Sequence, residues 1–378
     1  MLSGEDRRAV ASLLRRGFAV VEPLYASLMR ARNLAYDRGI KRVHRLPRPA
    51  ISVGNITTGG TGKTPLVRWL AEQFIARGVR PAILLRGYRG GATGGSDEAR
   101  MLAAALGTAA AVVANADRVA GAAAAMHGEP QPDVFLLDDA FQHRRAGRDF
   151  DLVLINALEP FGHGHVIPRG LLREPLDGLR RADAIMITHA DQAPAAAGLG
   201  DIERALRRYT AAPILLAEHA HAGLRSGDGG QLLPMTELRR RRHFLFCGIG
   251  NPRGFRAQLE PYHETFAGWR AFADHHAYAA DDLASLEAEA AAARAEVLVT
   301  TEKDWVKIER LPRRASLPVL RVELQIQFRD GGGERLLDLV LDRLKLKPAA
   351  TPARQEGSRA ARDEGETAIP PAPPALPS

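Results

Sequence analysis

The chain has 378 residues, of which 46% are hydrophobic, and its formal net charge is +8. This length is sufficient for two α/β domains with extensions, and the apolar content excludes a fibrous or fully disordered chain. Because Cys247 is the single cysteine, an internal disulfide framework and a cysteine-rich metal site are excluded, and we expect a reducing, cytoplasmic compartment.

Residues 1–46 are predicted to form a membrane-associated segment, with ten basic and four acidic side chains. Glu22 and Pro23 interrupt its apolar residues, so no run approaches the ~20 residues needed to cross a bilayer, and no cleavage site follows. We expect an amphipathic helix in the membrane interface, and the alternative is a helix that packs on its own domain. The apolar positions recur at helical spacing: Val10, Leu13, Leu14, Phe18, Val21, Leu24, Tyr25, Leu28 and Met29.

Residues 47–230 alternate between short apolar runs and helical patterns. This alternation predicts an α/β fold with a parallel sheet, right-handed crossovers and helices on both faces, in which ligands gather at the carboxyl ends of the strands. A helix is predicted over Thr64–Arg77. The predicted strands are Ile51–Gly54, Ala82–Leu85, Ala111–Val113, Val134–Leu137, Leu152–Ile155, Ala184–Thr188 and Ile214–Ala217.

A glycine cluster separates the first predicted strand from the first helix of this domain. Its glycines let successive backbone N–H groups face inward, and the helix directs its positive end to the same point, as in a phosphate-binding loop. Lys63 is expected to reach the outer phosphates and Thr64 to hold Mg²⁺. The generic motif is incomplete because Thr57 stands at its first glycine, and a plain strand-to-helix turn is the alternative. The candidate nucleotide-binding residues are Thr57, Thr58, Gly59, Gly60, Thr61, Gly62, Lys63 and Thr64.

Two acidic motifs follow predicted strands of the same domain. Asp138 and Asp139 end an apolar strand, where a P-loop enzyme places the carboxylate that binds Mg²⁺ directly or through water. Asp97 follows Ser96 after a glycine-rich loop. Ser96 is a candidate helix N-cap, and Asp97 either belongs to the first helical turn or accepts a proton from an attacking hydroxyl group.

Residues 231–346 are predicted to form a second, smaller α/β lobe. A loop over His219–Gly230 is expected to precede it. Its predicted elements are a strand at His243–Cys247, a turn and helix over Gly248–Leu259, a helix at Asp281–Arg294, a strand at Val297–Thr300 and a closing helix at Leu336–Leu346. From Lys347 onward, proline, alanine and balanced charges predict a disordered tail over residues 347–378.

Two further loops carry candidate functional side chains. The stretch from Arg169 to Pro175 offers guanidinium groups that suit phosphate oxygens, with Arg173 beside Glu174. In the second lobe, His275 and His276 follow an acid. These histidines lack a third ligand at metal spacing, so zinc is disfavoured.

Together these stretches resemble the tetraacyldisaccharide 4′-kinase family, the lipid A 4′-kinases of Gram-negative bacteria. The matching pieces occur in the family's order between about Pro47 and Lys307, and Thr57 in place of the first glycine is itself a family habit. The family usually has Gly-Asp-Glu-Pro where this chain has Ser96 to Ala99. The glycine-rich insert Gly90–Gly95 before these residues makes the alignment of this loop with the family motif ambiguous. The pieces are VGNITTGGTGKTP, LLRGYRG, SDEA, LLDDAFQHR, LREP, GIGNP, FADHHAY and TEKDWVK.

The resemblance implies a P-loop NTPase-like kinase that uses ATP and Mg²⁺ to phosphorylate the 4′-hydroxyl of a tetraacylated glucosamine disaccharide 1-phosphate. It places the enzyme at the cytoplasmic face of the bacterial inner membrane. We expect a monomer that binds no nucleic acid. The implied roles are phosphate and metal binding by Lys63 and Thr64, metal binding by Asp138 and Asp139, a catalytic base at Asp97 with His275 as its partner, and substrate binding by Arg173 and Glu174.

Two other classes of protein remain as alternatives. A membrane-bound P-loop ATPase that positions a protein partner also carries a GGxGKT run, but such ATPases place a signature lysine at the position of Thr58. A nucleic-acid-stimulated ATPase would explain the net charge. However, the basic N-terminal segment is interleaved with an apolar stripe rather than with stacking aromatic residues.

Overall fold

The computed structural model describes residues 9–87, 97–193, 198–227, 230–312 and 317–346, with side chains from Gly17 onward. Ser96, the glycine-rich insert Gly90–Gly95 and the tail over residues 347–378 lie outside these ranges, so the predictions for them stay as stated. The helices are α1 (Ala9–Asp37), α2 (Lys63–Ile75), α3 (Asp97–Leu106), α4 (Arg118–Met126), α5 (Leu199–Leu206), α6 (Pro252–Leu259), α7 (Ala280–Ala292), α8 (Glu302–Ile308) and α9 (Gly332–Leu344).

The strands of the described chain belong to one continuous sheet with the order β10-β9-β11-β12-β7-β6-β5-β1-β4-β2-β3, and β8 pairs with β7. All pairings are parallel except those of β7 with β12 and with β8. The strands are β1 (Ala50–Asn55), β2 (Pro81–Leu85), β3 (Ala111–Ala114), β4 (Val134–Asp138), β5 (Phe150–Asn156), β6 (Ala184–Thr188), β7 (Ile214–Ser226), β8 (Leu232–Leu233), β9 (His243–Cys247), β10 (Phe266–Ala271), β11 (Val297–Thr301) and β12 (Val319–Phe328).

In the first lobe, helices cover both faces of the parallel strands β1 to β6. Alternate residues of one strand enter different cores: Leu136 of β4 packs with α2, α3 and α9, whereas Phe135 packs with α4. Because both faces are covered, these strands are apolar throughout rather than alternating. The structure confirms the predicted α/β fold with a mainly parallel sheet.

The second lobe continues the same sheet through β12, β11, β9 and β10. Its two cores lie on opposite faces of β9, with Leu245 on one side and Phe246 on the other. Helix α7 packs in the Phe246 core through Leu283 and Leu286. The predicted second α/β lobe is therefore present, whereas the exact residue limits of the domains stay a prediction.

Two expectations for the connection between the lobes are wrong. The stretch predicted as a loop over His219–Gly230 continues β7 as far as Ser226, where it pairs antiparallel with β12. The last helix, α9, was expected to close the second lobe but packs on the core of the first, where Leu336 and Val340 meet residues of α2. Both differences follow from β12. This strand pairs antiparallel with β7, and the chain therefore returns to the first lobe before α9 begins.

Helix α1 rests on the first lobe with one side and exposes apolar residues on the other. Ala26 is buried in the core beside α5, whereas Val20, Leu24 and Leu28 are 76%, 72% and 63% exposed. The alternative, a helix that packs on its own domain, is therefore observed, and binding of the exposed apolar residues to a membrane interface stays a prediction. None of the helices in the described ranges is long and apolar enough to span a membrane.

Candidate active site

The glycine cluster connects the carboxyl end of β1 to the first turn of α2. Gly59 and Gly62 have φ values of +127° and +75°, which L-residues with side chains rarely adopt, so glycine is required at both points. A Cβ atom at Gly59 or Gly60 would meet no atom within 4 Å, and residues 58–60 are exposed. An accessible loop backbone therefore lies at the positive end of a 13-residue helix, the arrangement that binds phosphate.

Lys63 is the first residue of α2 and lies between two polar side chains at neighbouring strand ends. Its Nζ atom is 3.3 Å from Asn55 Oδ1 and 3.4 Å from Asp139 Oδ1. Asn55 ends β1, and its amide nitrogen donates to the backbone carbonyl of Thr57 in the loop. The structure thus brings the predicted phosphate-binding lysine together with the predicted acidic pair.

Asp138 ends β4 directly beside β1, where it is paired in register with Val53. It is 5% exposed, and its burial raises the pKa of the carboxyl group to about 7 despite the opposing influence of Lys63. Asp138 Oδ1 is buried and has no hydrogen-bond partner among the described residues. A buried carboxylate oxygen without a hydrogen-bond partner fits a position where it would bind a cation or a metal-bound water.

Asp139 differs from its neighbour in its electrostatic surroundings. Burial acts to raise the pKa of its carboxyl group, but Lys63 and Arg173 outweigh that effect and the pKa is lowered. Arg173 Nη1 donates to both carboxylate oxygens at 2.8 and 2.9 Å. Asp139 is therefore an anion held between two cations, and the two adjacent acids have distinct environments.

The donors around this point fit Mg²⁺. Oxygen ligands from a carboxylate, a hydroxyl group, phosphates and water are those that this ion prefers. Asp138 and Thr64, which is half-buried in the first turn of α2, would hold it beside the phosphates. The described residues contain no cluster of three or more His, Cys, Asp or Glu side chains at a metal-binding arrangement, so the protein alone offers no closed metal cage there.

Arg173 and Glu174, both predicted to bind substrate, have different environments in the structure. The Arg173 side chain is 25% exposed and binds Asp139. Glu174 is fully buried, and its carboxylate accepts hydrogen bonds from Asn33, Gln142 and Arg181. This burial leaves no part of Glu174 accessible in this structure: its partners lie 141, 32 and 7 residues away in sequence, and its contact with a substrate stays a prediction.

Asp97, the predicted base, begins α3 at the boundary between the lobes. Its carboxylate binds Arg100 Nη2 at 2.7 Å, and its other oxygen is 3.9 Å from Nζ of Lys307 in α8. Lys307 is itself held 3.2 Å from Asp304, which is fully buried. The predicted base therefore faces a lysine of the second lobe.

His275 lies in the loop after β10 with a positive φ of 58°. Its side chain is 66% exposed, and its Nε2 atom is 3.5 Å from Lys303 Nζ and 4.0 Å from Asp274 Oδ1. Within the described ranges, no hydrogen bond or ion pair joins His275 to Asp97. The neighbouring His276 instead binds Asp282 at 3.0 Å and stacks on Phe272.

The family model for tetraacyldisaccharide-1-P 4′-kinase, LpxK, matches residues 14–344 of the chain. The chain belongs to this family. It is 40% identical to the tetraacyldisaccharide 4′-kinase of Geobacter metallireducens over 80% of this chain and 89% of that protein. It is 36% identical to the tetraacyldisaccharide 4′-kinase of Geobacter sulfurreducens over 90% of this chain and 98% of that protein.

A solved structure of the family supports the same fold. The crystal structure of LpxK from Aquifex aeolicus in complex with ATP superposes with a TM-score of 0.71 at 29% identity, covering 88% of this chain and 99% of that chain. The tetraacyldisaccharide 4′-kinase resemblance proposed from the motifs is therefore confirmed, together with the kinase fold.

In this LpxK family member, sequence reasoning missed two contributors to the site. Asn55 lies within the motif VGNITTGGTGKTP but was not singled out. Its position as the last residue of a strand before a phosphate loop could have indicated it, because side chains at the carboxyl ends of strands reach the ligand. Lys307 is the last residue of the motif TEKDWVK. No local signal connects it to Asp97, because α8 and α3 meet only through the folding of the two lobes.

Proposed function

We propose that this member of the LpxK family transfers the γ-phosphoryl group of ATP to the 4′-hydroxyl of a tetraacylated glucosamine disaccharide 1-phosphate, a step of lipid A biosynthesis. The observation that carries the proposal is the placement of Lys63 between Asn55 and Asp139 at the start of α2, in a chain matched by the family model over residues 14–344. The ATP bound by LpxK of Aquifex aeolicus supports ATP as the phosphate donor.

The chain's own residues supply the phosphate contacts. The loop over residues 58–62, exposed at residues 58–60, offers backbone N–H groups, and Lys63 places a positive charge where charge develops on the transferred group. Mg²⁺, when bound, would neutralise further phosphate charge. Asp138 and Thr64 would hold that ion, and Asp139 would keep Lys63 in place.

The transfer step needs an acceptor for one proton. The 4′-oxygen forms a bond to the γ-phosphorus, the bond from that phosphorus to the bridging oxygen breaks, and ADP leaves. Asp97 accepts the hydroxyl proton, and Lys307 stabilises the carboxylate before transfer. Since His275 has no contact with Asp97 here, its role as partner requires the lobes to move together over substrate.

Helix α1 suits an enzyme whose substrate lies in a bilayer. Its exposed residues Val20, Leu24 and Leu28 recur four positions apart and form an apolar face, in a segment whose sequence carries an excess of basic residues. Such a helix binds the interface of an anionic membrane without crossing it. We therefore propose peripheral attachment of a monomer to the cytoplasmic face of the bacterial inner membrane.

The test is ATP-dependent phosphate transfer to a detergent-solubilised acylated disaccharide 1-phosphate. The wild type should label the lipid, and Lys63→Ala should lose transfer while its thermal unfolding stays unchanged, because Lys63 acts on phosphate charge and not in a core. Wild-type turnover in Lys63→Ala would remove the assignment of the phosphate loop. ATP hydrolysis by the wild type without lipid labelling would instead favour a P-loop ATPase that positions a protein partner.

A further inference from the structure

A buried cluster connects α1 to the loops around the phosphate site. We define the Glu174 cluster as Glu174, Asn33, Gln142 and Arg181. The Asn33 amide nitrogen donates to Glu174 Oε2 at 2.8 Å, Gln142 Nε2 donates to Oε1 at 2.9 Å, and Arg181 Nη2 donates to both oxygens at 3.0 Å. Glu174 is 0% exposed, so the position of its carboxylate is fixed by these donors.

Helix α1 also holds the residue before Glu174. The Tyr25 hydroxyl donates to the backbone carbonyl of Arg173 at 2.8 Å, and Tyr25 is half-buried against the first lobe. Asn33 is 6% exposed. Two side chains of one helix, eight positions apart, therefore fix consecutive residues of a single loop.

That loop in turn positions the phosphate site by two routes. Arg173 binds Asp139, whose carboxylate is 3.4 Å from Lys63 Nζ. Gln142 donates not only to Glu174 but also to the backbone carbonyl of Asn55 at 2.9 Å, and Asn55 accepts from Lys63. Each route from α1 reaches the ammonium group of Lys63 through two or three intermediate residues.

We propose that Asn33 and Glu174 are positioning residues for the phosphate site, so that α1 is part of the active-site scaffold as well as a membrane-facing helix. The inference rests on the proposed function, because it gives Lys63 and Asp139 their roles toward ATP. Its physical basis is that a hydrogen-bonded side chain can be placed to within a fraction of an ångström, and that a displacement of about 1 Å at a reacting group costs up to about a hundredfold in rate.

The variants that test this separate positioning from membrane attachment. Asn33→Ala removes one donor and leaves Glu174 bound to Gln142 and Arg181, so the cluster keeps its buried ion pair and the chain should fold. Tyr25→Phe removes a single hydroxyl group and provides a second, milder perturbation. Ser27→Ala is the matched control, because Ser27 is exposed on the same helix.

In detergent micelles, which remove the need for vesicle binding, we expect Asn33→Ala to lower kcat by about tenfold and Tyr25→Phe by about threefold. The KM for the acylated disaccharide phosphate should stay within about twofold of the wild type, and so should sedimentation with vesicles that contain anionic phospholipid. Ser27→Ala should match the wild type in every measurement. A loss in kcat without a change in KM or in vesicle binding would support positioning.

Calorimetric titration with ATP in the absence of lipid gives a readout that does not depend on the acceptor. We expect a dissociation constant about fivefold higher for Asn33→Ala than for the wild type, because Lys63 is displaced. Wild-type kcat and ATP affinity in Asn33→Ala, with only a lower unfolding temperature, would overturn the proposal and leave α1 a merely stabilising element. A wild type that binds ATP but does not label lipid would refute the proposed function alone, since the comparison of ATP affinities would still decide whether α1 positions the site.

Discussion

The sharpest structural test of the phosphate loop is a methyl group at Gly62. A Cβ atom there would lie 2.2 Å from both Cε1 and Nε2 of the His219 ring, and the backbone has a φ of +75°. His219 cannot easily withdraw, because its ring packs against that of His189 with centroids 4.3 Å apart. Gly60 provides the matched control, since a Cβ atom at that position would meet nothing within 4 Å.

The two costs of Gly62→Ala are separable. The left-handed backbone costs a residue with a side chain about 1–2 kcal/mol, and the overpacking against a buried ring adds about 1–3 kcal/mol. We therefore expect Gly62→Ala to lower the free energy of unfolding by about 2–5 kcal/mol, whereas Gly60→Ala should change it by no more than about 0.5 kcal/mol.

Urea unfolding of the wild type, the two alanine variants, His219→Ala and the double variant Gly62→Ala/His219→Ala measures both costs. Because the double variant removes the ring that the new methyl group meets, the double-mutant cycle should show a favourable coupling of about 1–3 kcal/mol. Equal stability of Gly62→Ala and Gly60→Ala, or a coupling indistinguishable from zero, would refute the claim that a side chain at position 62 collides with the His219 ring.

Three further predictions concern pH, membrane binding and the proton acceptor. Burial, and to a lesser extent the nearby His189, lowers the pKa of His219 from the ordinary 6.5 to about 4. As the pH falls below 6.5, the unfolded chain therefore binds a proton at this histidine that the folded chain does not bind. Between about pH 7.5 and about pH 5 the free energy of unfolding of the wild type should therefore fall about 2 kcal/mol more than that of His219→Gln, and parallel pH profiles would disprove it. Leu24→Gln/Leu28→Gln should weaken sedimentation with anionic vesicles by at least about tenfold at unchanged stability, because both leucines are exposed; undiminished sedimentation would contradict an interfacial helix. Asp97→Ala and His275→Ala should each lower kcat by about 10²–10⁴ with little change in ATP affinity, and the double variant should be hardly worse than the worse single one. A loss of kcat in the double variant equal to the product of the two single losses would mean that Asp97 and His275 act independently.

The first lobe was predictable because its strands are short apolar runs and several of them are followed by a helix, as β1 is by α2. Strand β6 was predicted at Ala184–Thr188 and β9 at His243–Cys247, and both have these bounds in the structure. Strand β7 was cut short at Ala217 because its continuation includes His219, His221 and Arg225, whose polarity resembles a loop. Pairing with a distant strand, β12, stabilises that continuation, and a local pattern does not contain such a partner.

The sequence predicted the site residues that lie within one motif. It did not predict contacts between residues that are distant in sequence. Lys63 and the acidic pair meet because the carboxyl ends of adjacent parallel strands share one edge of the sheet. Glu174 looked accessible beside an arginine in a polar loop. Its burial depends on Asn33 and Gln142, which lie 141 and 32 residues away in sequence, so no spacing rule could indicate it.

The central claim is that this LpxK family member phosphorylates the 4′-hydroxyl of an acylated disaccharide phosphate. The most direct measurement is phosphorus–proton correlation NMR of the lipid recovered after incubation of the wild type with ATP, Mg²⁺ and the detergent-solubilised acceptor. We predict a second phosphomonoester, coupled to the proton on the 4′-carbon of the distal glucosamine and absent when Lys63→Ala replaces the wild type. Recovery of unmodified acceptor together with inorganic phosphate, or a new phosphate at any other carbon, would contradict the claim.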